Sequence, residues 1–159
     1  MNINQRIEII CGIGKFLKNY LDEKYDINKD HKLAEFEKII IKTQSINPWF
    51  TDENIKVNLT YWSEKLTKTN LKQWLNKYDL NNNSRKNIAI IMAGNIPLVG
   101  FHDFICVFLS GHNSIIKLSN SDNCILPFLT DLIKLPSERI VYSDSFLKDY
   151  DGVIATGSD

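Results

Sequence analysis

The sequence predicts an α/β protein, with a helical amino-terminal segment followed by an open, mostly parallel β-sheet. Apolar residues recur at helical spacing through roughly the first eighty positions, as expected for amphipathic helices. From Lys86 onward the pattern changes to short continuous apolar runs, which are typical of parallel strands buried on both faces. We therefore divide the chain into a helical segment over residues 1–84 and an α/β part over residues 85–159.

Helices account for the first segment, and each is marked by one apolar stripe that is typical of core packing. The acidic stretch Thr51-Asp52-Glu53 begins one of them, because carboxylates are stabilised at helix amino termini. A polar turn over residues 81–84 marks the junction to the α/β part. The stripes are Ile9, Ile13, Phe16 and Tyr20; Leu33, Phe36 and Ile40; Ile55, Leu59, Trp62 and Leu66; and Leu71, Trp74, Leu75 and Tyr78.

Strands and helices alternate in the α/β part in the order β-α-β-α-β-β. This alternation predicts an open, mostly parallel sheet with helices on both faces. Gly111 ends the first of these helices, because glycine readily adopts the left-handed backbone of a helix end. The predicted strands cover residues 88–92, 114–118, 140–142 and 152–155, and the predicted helices cover residues 98–109 and a stretch capped by the turn at 119–122 and continuing through Leu135.

Charge and composition exclude several classes of function. The chain carries 19 basic and 19 acidic residues in mixed order, so it has no electrostatic footprint for nucleic acid. The apolar run over residues 88–109 is interrupted by Asn95 and Pro97, which argues against a membrane span, and the amino terminus lacks a signal peptide pattern. The three scattered cysteines show no metal-ligand spacing, which predicts no metal site and favours a reducing, cytoplasmic location.

The loop after the first strand is the predicted site of chemistry. Parallel β-α-β units bind ligands at the carboxyl ends of their strands. The loop over residues 93–97 lies at such an end and presents the polar residue Asn95.

Three separated blocks of sequence carry a family resemblance. The blocks NPWFT, MAGNIPLVGFHDFICVFLSGHNSIIKLSNSD and DYDGVIATGS, in this order, resemble the LuxC-type acyl-CoA reductase family of the aldehyde dehydrogenase-like superfamily. The resemblance runs from about Asn47 to the last residue. It implies a Rossmann-like sheet, truncated relative to the superfamily fold, within a partial nucleotide-binding domain. It further implies NADPH-dependent reduction of a fatty acyl-CoA to a fatty aldehyde through a cysteine thioester, with the reactive cysteine expected beyond residue 159.

The resemblance also implies roles for two residues at strand ends. Asn95 would donate an oxyanion-hole hydrogen bond to the thioester oxygen, although it could instead only shape the turn before Pro97. Lys117 would contact the adenosine ribose and the 2′-phosphate of NADPH, although it could instead be an exposed lysine at the end of a strand.

Four further residues are expected to bind the cofactor. Ser119 and Asn120 follow Lys117, and the neutral Asn120 leaves room for a phosphate where an acid would favour NAD. Gly157 and Ser158 resemble the start of a pyrophosphate-binding turn, which needs bare backbone N–H groups at a helix amino terminus.

The remaining reactive side chains are interpreted as structural. His102 and Asp103 are expected to form hydrogen bonds at a helix start, and His112 is expected on the surface. No cysteine has the cationic neighbour or helix amino terminus that activates a thiol, and Cys106 is expected to be a small buried apolar side chain. Cys11 and Cys124 are expected on helices.

These observations favour the cofactor-binding half of an acyl-CoA reductase whose nucleophile is not in this chain. Two alternatives remain open: a noncatalytic nucleotide-binding or interaction module, and a truncated product without independent activity. One face of the sheet is expected to be uncovered, which would favour association, so a homo-oligomer is also left open.

Overall fold

The computed structural model describes residues 1–22, 24, 26, 29–80, 84–134, 139–145 and 147–157. Their order confirms the α/β class, with a helical amino-terminal segment and an open parallel Rossmann-like sheet. The elements are α1 (Ile3–Leu21), α2 (His31–Ile46), α3 (Asp52–Lys65), α4 (Lys68–Leu75), β1 (Asn87–Ile91), α5 (Phe101–Ser110), β2 (Asn113–Lys117), α6 (Ile125–Leu132), β3 (Ile140–Tyr142) and β4 (Gly152–Ala155).

Polar side chains begin the four amino-terminal helices by accepting hydrogen bonds from backbone N–H groups that lack helical partners. Asn2 begins α1 in a reciprocal capping box with Gln5, and Asp30 begins α2. Thr51 and Thr67 do the same for α3 and α4. These helix starts are therefore set by local sequence. None of the helices among the described residues is long and apolar enough to cross a membrane.

The sheet has the strand order β3-β2-β1-β4, and every described pairing is parallel. Strand β1 is central, with Ile90 beside Ile116 of β2 and Ile154 of β4. The chain therefore steps outward from β1 to β3 on one side and then returns to add β4 on the other side.

One hydrophobic core joins the sheet to the helices. Ile90 and Ile116 are fully buried on the covered face of the sheet, and α5 contacts β1, β2 and α1. Phe101 of α5 meets the ring of Trp62 on α3 edge-on, with 4.9 Å between ring centres. The helical segment thus packs on the outer side of α5.

The prediction of helices on both faces of the sheet is wrong for the described residues. The second helix, α6, lies on the same face as α5, because its Thr130 hydroxyl is 2.8 Å from the Tyr142 hydroxyl of β3 and Tyr142 shares a face with Ile116. Both crossovers step in the same direction across the sheet, and right-handed crossovers then place both helices on one face.

The other face, here called the open face, carries apolar side chains that remain in solvent. Its large apolar side chains near the middle of the sheet are Ile91, Ile115, Val141 and Val153. Three of them are exposed: Ile91 by 40%, Val141 by 42% and Val153 by 54%. Among the described residues, helices therefore cover only one face of the sheet, although its strands have the composition of strands buried on both faces.

Two helices begin later than the sequence predicts. Helix α5 begins at Phe101 because Leu98 has a left-handed backbone, with φ of +58°, which cannot continue a helix. Helix α6 begins at Ile125 because Ser119 and Asp122 pair with each other in a tight turn. Gly111 ends α5 as predicted, with φ of +90°. The junction at residues 81–83 and the predicted helix end at residue 135 lie outside the described residues.

Candidate functional site

A cleft opens at the carboxyl edge of the sheet between β1 and β4. It has a volume of about 840 Å³ and is lined by the ends of both strands, including Ile91 and Ala155, and by Asn95, Thr156 and Gly157 from the loops that follow. The connection after β1 runs toward β2, whereas β4 lies on the opposite side of β1. Open α/β sheets bind ligands where the strand order reverses in this way.

Asn95 is exposed on the wall of this cleft. Among the described residues, none forms a hydrogen bond with its side chain. The carboxamide is therefore available to donate to a molecule in the cleft.

The loop that carries Asn95 is attached to its surroundings at Gly94. The Gly94 carbonyl oxygen accepts hydrogen bonds from the Ser121 hydroxyl at 3.2 Å and from the Asn47 side-chain amide, also at 3.2 Å. Asn47 Nδ2 also lies 3.4 Å from the Ser121 carbonyl oxygen. Gly94 must be glycine here, because a Cβ atom would lie 2.4 Å from Ser119 Oγ.

The same loop is attached a second time at Leu98. The Leu98 N–H donates to Asp122 Oδ2 at 2.9 Å, and both side chains are buried. Burial raises the pKa of Asp122 to about 6, and the Leu98 N–H opposes this rise by favouring the carboxylate. The turn after β2 thus holds both ends of the loop after β1.

Lys117 lies at the end of β2 in the same cross-strand row as Ile91. Side chains in one row of a parallel sheet share a face, and neighbouring strands are about 5 Å apart. Because Ile91 lines the cleft, the half-buried Lys117 flanks the cleft on the side away from β4.

The other expected cofactor residues differ in their surroundings. The Ser119 hydroxyl is 2.9 Å from the Ser121 hydroxyl and accepts the Ser121 N–H at 3.3 Å, so it is engaged within the turn. Asn120 is exposed at the tip of this turn, and Gly157 is exposed on the cleft wall. Ser158 lies outside the described residues.

Asp103 forms a bond between elements rather than the expected bond at a helix start. It accepts a hydrogen bond from the Thr156 hydroxyl, which joins the first turn of α5 to the end of β4. His102 beside it is exposed, with its Nδ1 atom 3.7 Å from Asp103 Oδ1. These contacts hold the two sides of the cleft together.

Cys106 is half-buried rather than fully buried, with its Sγ 3.8 Å from both ring nitrogens of His102. Burial, and next the charge of Asp103, raise the pKa of this thiol, so it stays protonated at neutral pH. Burial also raises the pKa of Cys11, while Cys124 is buried just before α6 rather than within it. The surroundings of Cys106 and Cys11 thus suppress the thiolate that nucleophilic catalysis needs.

His112 is half-buried, whereas the sequence suggested a surface position. Its Nδ1 atom accepts the Lys86 N–H at 3.2 Å, and burial followed by the nearby charge of Lys86 lowers its pKa. It lies at the opposite end of β2 from Lys117 and supports the strand start rather than the cleft.

Sequence reasoning did not assign a site role to Asn47, Ser121 or Asp122. Asn47 lies in one of the blocks that carry the resemblance, and the other two lie in the polar turn after β2. A carboxylate directly after a buried strand is the signal that could have pointed to Asp122, because strand ends meet at one edge.

Among the residues that the structure describes, no cluster of three histidine, cysteine or acidic side chains could hold a metal ion. Compared with known proteins, the chain matches no family model, no curated protein and no solved structure.

Proposed function

We propose that this chain binds NADPH in the cleft between β1 and β4 and forms the cofactor-binding part of a reductase that converts fatty acyl-CoA to fatty aldehyde. One observation carries the proposal: the cleft lies where the strand order reverses, and Lys117 flanks it. Its volume of about 840 Å³ lies within the usual range for small-molecule sites.

Each end of the cofactor has a chemically suitable neighbour in this proposal. The Lys117 ammonium meets the ribose and its 2′-phosphate, and the neutral Asn120 adds no repulsion. Gly157 lets the backbone approach the pyrophosphate closely, because it has no side chain. Bound NADPH supplies the hydride for the reduction.

Asn95 is proposed to act on the substrate rather than on the cofactor. Its free carboxamide N–H would donate to the thioester oxygen as negative charge develops there. The attached loop ends support this role, because a donor that is already oriented needs little reorganisation during the reaction. The thiolate that attacks the thioester is proposed to come from outside these 159 residues, because Cys124 is buried and burial raises the pKa of Cys11 and Cys106.

The cofactor proposal is tested by calorimetric titration of the chain with NADPH and NADH. We expect NADPH to bind more tightly, and Lys117→Ala to weaken NADPH by roughly tenfold with little effect on NADH, the scale of one charge-assisted contact. Lys72→Ala, which removes a lysine from α4 away from the cleft, is the matched control. Equal affinities for both nucleotides in all three proteins would refute the role of Lys117.

A noncatalytic nucleotide-binding module is the second candidate, and the raised pKa of Cys106 favours it. Incubation with radiolabelled fatty acyl-CoA, followed by mass spectrometry of the protein, tests whether any thiol of this chain accepts the acyl group. We expect no thioester on this chain alone. A stoichiometric acyl adduct that disappears in Cys106→Ser would show that the chain contains its own nucleophile.

A further inference from the structure

The loop after β1 is attached at both ends and free in the middle. At one end, the Gly94 carbonyl oxygen accepts bonds from Asn47 and Ser121. At the other end, the Leu98 N–H donates to Asp122. Asn95 lies between these attachments and is exposed on the cleft wall.

Two features that are unfavourable separately meet at the Leu98 end. Leu98 has a φ of +58°, a region that side chains other than glycine seldom adopt. Asp122 is only 8% exposed, and a buried carboxylate is destabilised unless hydrogen bonds compensate it. The hydrogen bond between them therefore stabilises the left-handed backbone of Leu98 and also gives the buried Asp122 carboxyl a donor.

We propose that Asp122 is a positioning residue: by accepting the Leu98 N–H it holds Leu98 in the left-handed conformation and so fixes the direction of the loop that carries Asn95. The consequence for the thioester oxygen rests on the proposed function, whereas the hold on the loop does not.

The turn after β2 is itself closed by a hydrogen bond, which fixes Asp122 relative to the end of β2. The Asp122 N–H donates to the Ser119 carbonyl oxygen at 3.1 Å, so the turn is closed on itself directly after β2. Lys117 and Asn95 are consequently linked through Asp122 and the Leu98 backbone.

The test compares Asp122→Ala, which removes the acceptor, with Asp122→Asn, which keeps an oxygen of similar shape. Hydrogen exchange at the Leu98 amide and the ¹³Cα and ¹³Cβ shifts of Leu98 are measured by NMR. The Met92 amide, which donates to the Lys117 carbonyl oxygen at 3.0 Å, is the internal reference.

In Asp122→Ala we expect the Leu98 amide to exchange roughly tenfold faster or more relative to Met92, because it loses its buried acceptor. The carbon shifts of Leu98 should also leave the left-handed range. Asp122→Asn should retain both signals. Unchanged exchange and shifts at Leu98 in Asp122→Ala would overturn the proposal.

If Asp122→Ala does not fold, the native protein decides the question. The Leu98 amide shift should follow a titration with a midpoint near the Asp122 pKa of about 6, and this titration should vanish in Asp122→Asn. His102→Gln, which removes the imidazole on α5 beside the cleft, is the control and should keep the titration. A Leu98 shift that is independent of pH, or a Leu98 titration that is lost in His102→Gln, would overturn the proposal.

None of these measurements uses a nucleotide or a substrate. If Asp122→Ala changes the Leu98 signals but the native protein does not bind NADPH, the positioning role is supported and the proposed function is refuted. If the native protein binds NADPH but Asp122→Ala leaves the Leu98 signals unchanged, the proposed function is supported and the positioning role is refuted.

Discussion

Gly94→Ala probes the most closely packed point of the candidate site. A Cβ atom at this position would lie 2.4 Å from Ser119 Oγ, 2.5 Å from Ser121 Oγ and 2.6 Å from Ser119 Cβ. The hydroxyls could rotate away, but Ser119 Cβ moves only with its backbone. The added methyl group must therefore push the loop after β1 away from the turn after β2.

The expected loss of stability follows from two contributions. Overpacking of a filled site costs about 1–3 kcal/mol. Displacing the Gly94 carbonyl oxygen from Asn47 and Ser121 weakens two hydrogen bonds, each worth about 1 kcal/mol. We expect Gly94→Ala to lower the free energy of unfolding by about 3 kcal/mol.

Urea denaturation followed by tryptophan fluorescence measures this difference. Gly12→Ala is the matched control, because Gly12 is an exposed position of α1 with nothing within 4 Å of the added Cβ. It should stabilise the protein by about 0.5–1 kcal/mol through helix propensity. Ser119→Gly removes two of the three close atoms, so it should recover part of the loss when combined with Gly94→Ala. Equal stability of Gly94→Ala and native protein would refute the close packing of the two loops.

Three further predictions concern the substrate oxygen, pH and the open face. In a complete reductase, Asn95→Ala should slow acylation roughly a hundredfold, the scale of one oxyanion donor; unchanged acylation with a lower melting temperature would instead indicate a turn-shaping role. Because the pKa of Asp122 is raised from 3.8 to about 6 by folding, the folded state binds the proton more tightly, and this group should destabilise the protein by about 3 kcal/mol as pH rises through 4 to 6. Asp122→Asn should remove that slope from urea denaturation curves, and an identical slope in both proteins would contradict the burial of the carboxyl. Val153→Lys on the open face should reduce concentration-dependent association in analytical ultracentrifugation, whereas Val57→Lys, at an exposed position of α3, should not; association that both variants retain would exclude the open face as its cause.

The sequence predicted the elements well because their signals are local. Helix starts depend on a capping side chain and its next few residues, as at Thr51. The strands were found to within one residue because short apolar runs between turns differ from helical stripes. The loop over residues 93–97 follows β1 at the carboxyl edge of the sheet, as predicted, since any parallel β-α-β unit brings this loop to that edge.

Errors arose where distant residues decide the local conformation. The helix predicted from Leu98 starts three residues later, because Asp122, which lies 24 positions further along the chain, holds the Leu98 N–H outside the helix. The residues that follow Pro97 form an apolar run, and this run favoured a helix beginning at Leu98. No local pattern indicates that its amide has a buried acceptor.

The sequence by itself determined that amphipathic helices come first, that short parallel strands follow, and that a polar loop lies at the end of β1. The tertiary structure decided the strand order, the single covered face and the two attachments of the site loop. These features depend on contacts such as Asn47 with Gly94, which are 47 positions apart. Local patterns report how each segment buries its apolar side chains, but the partner that each segment meets is selected only when the whole core packs.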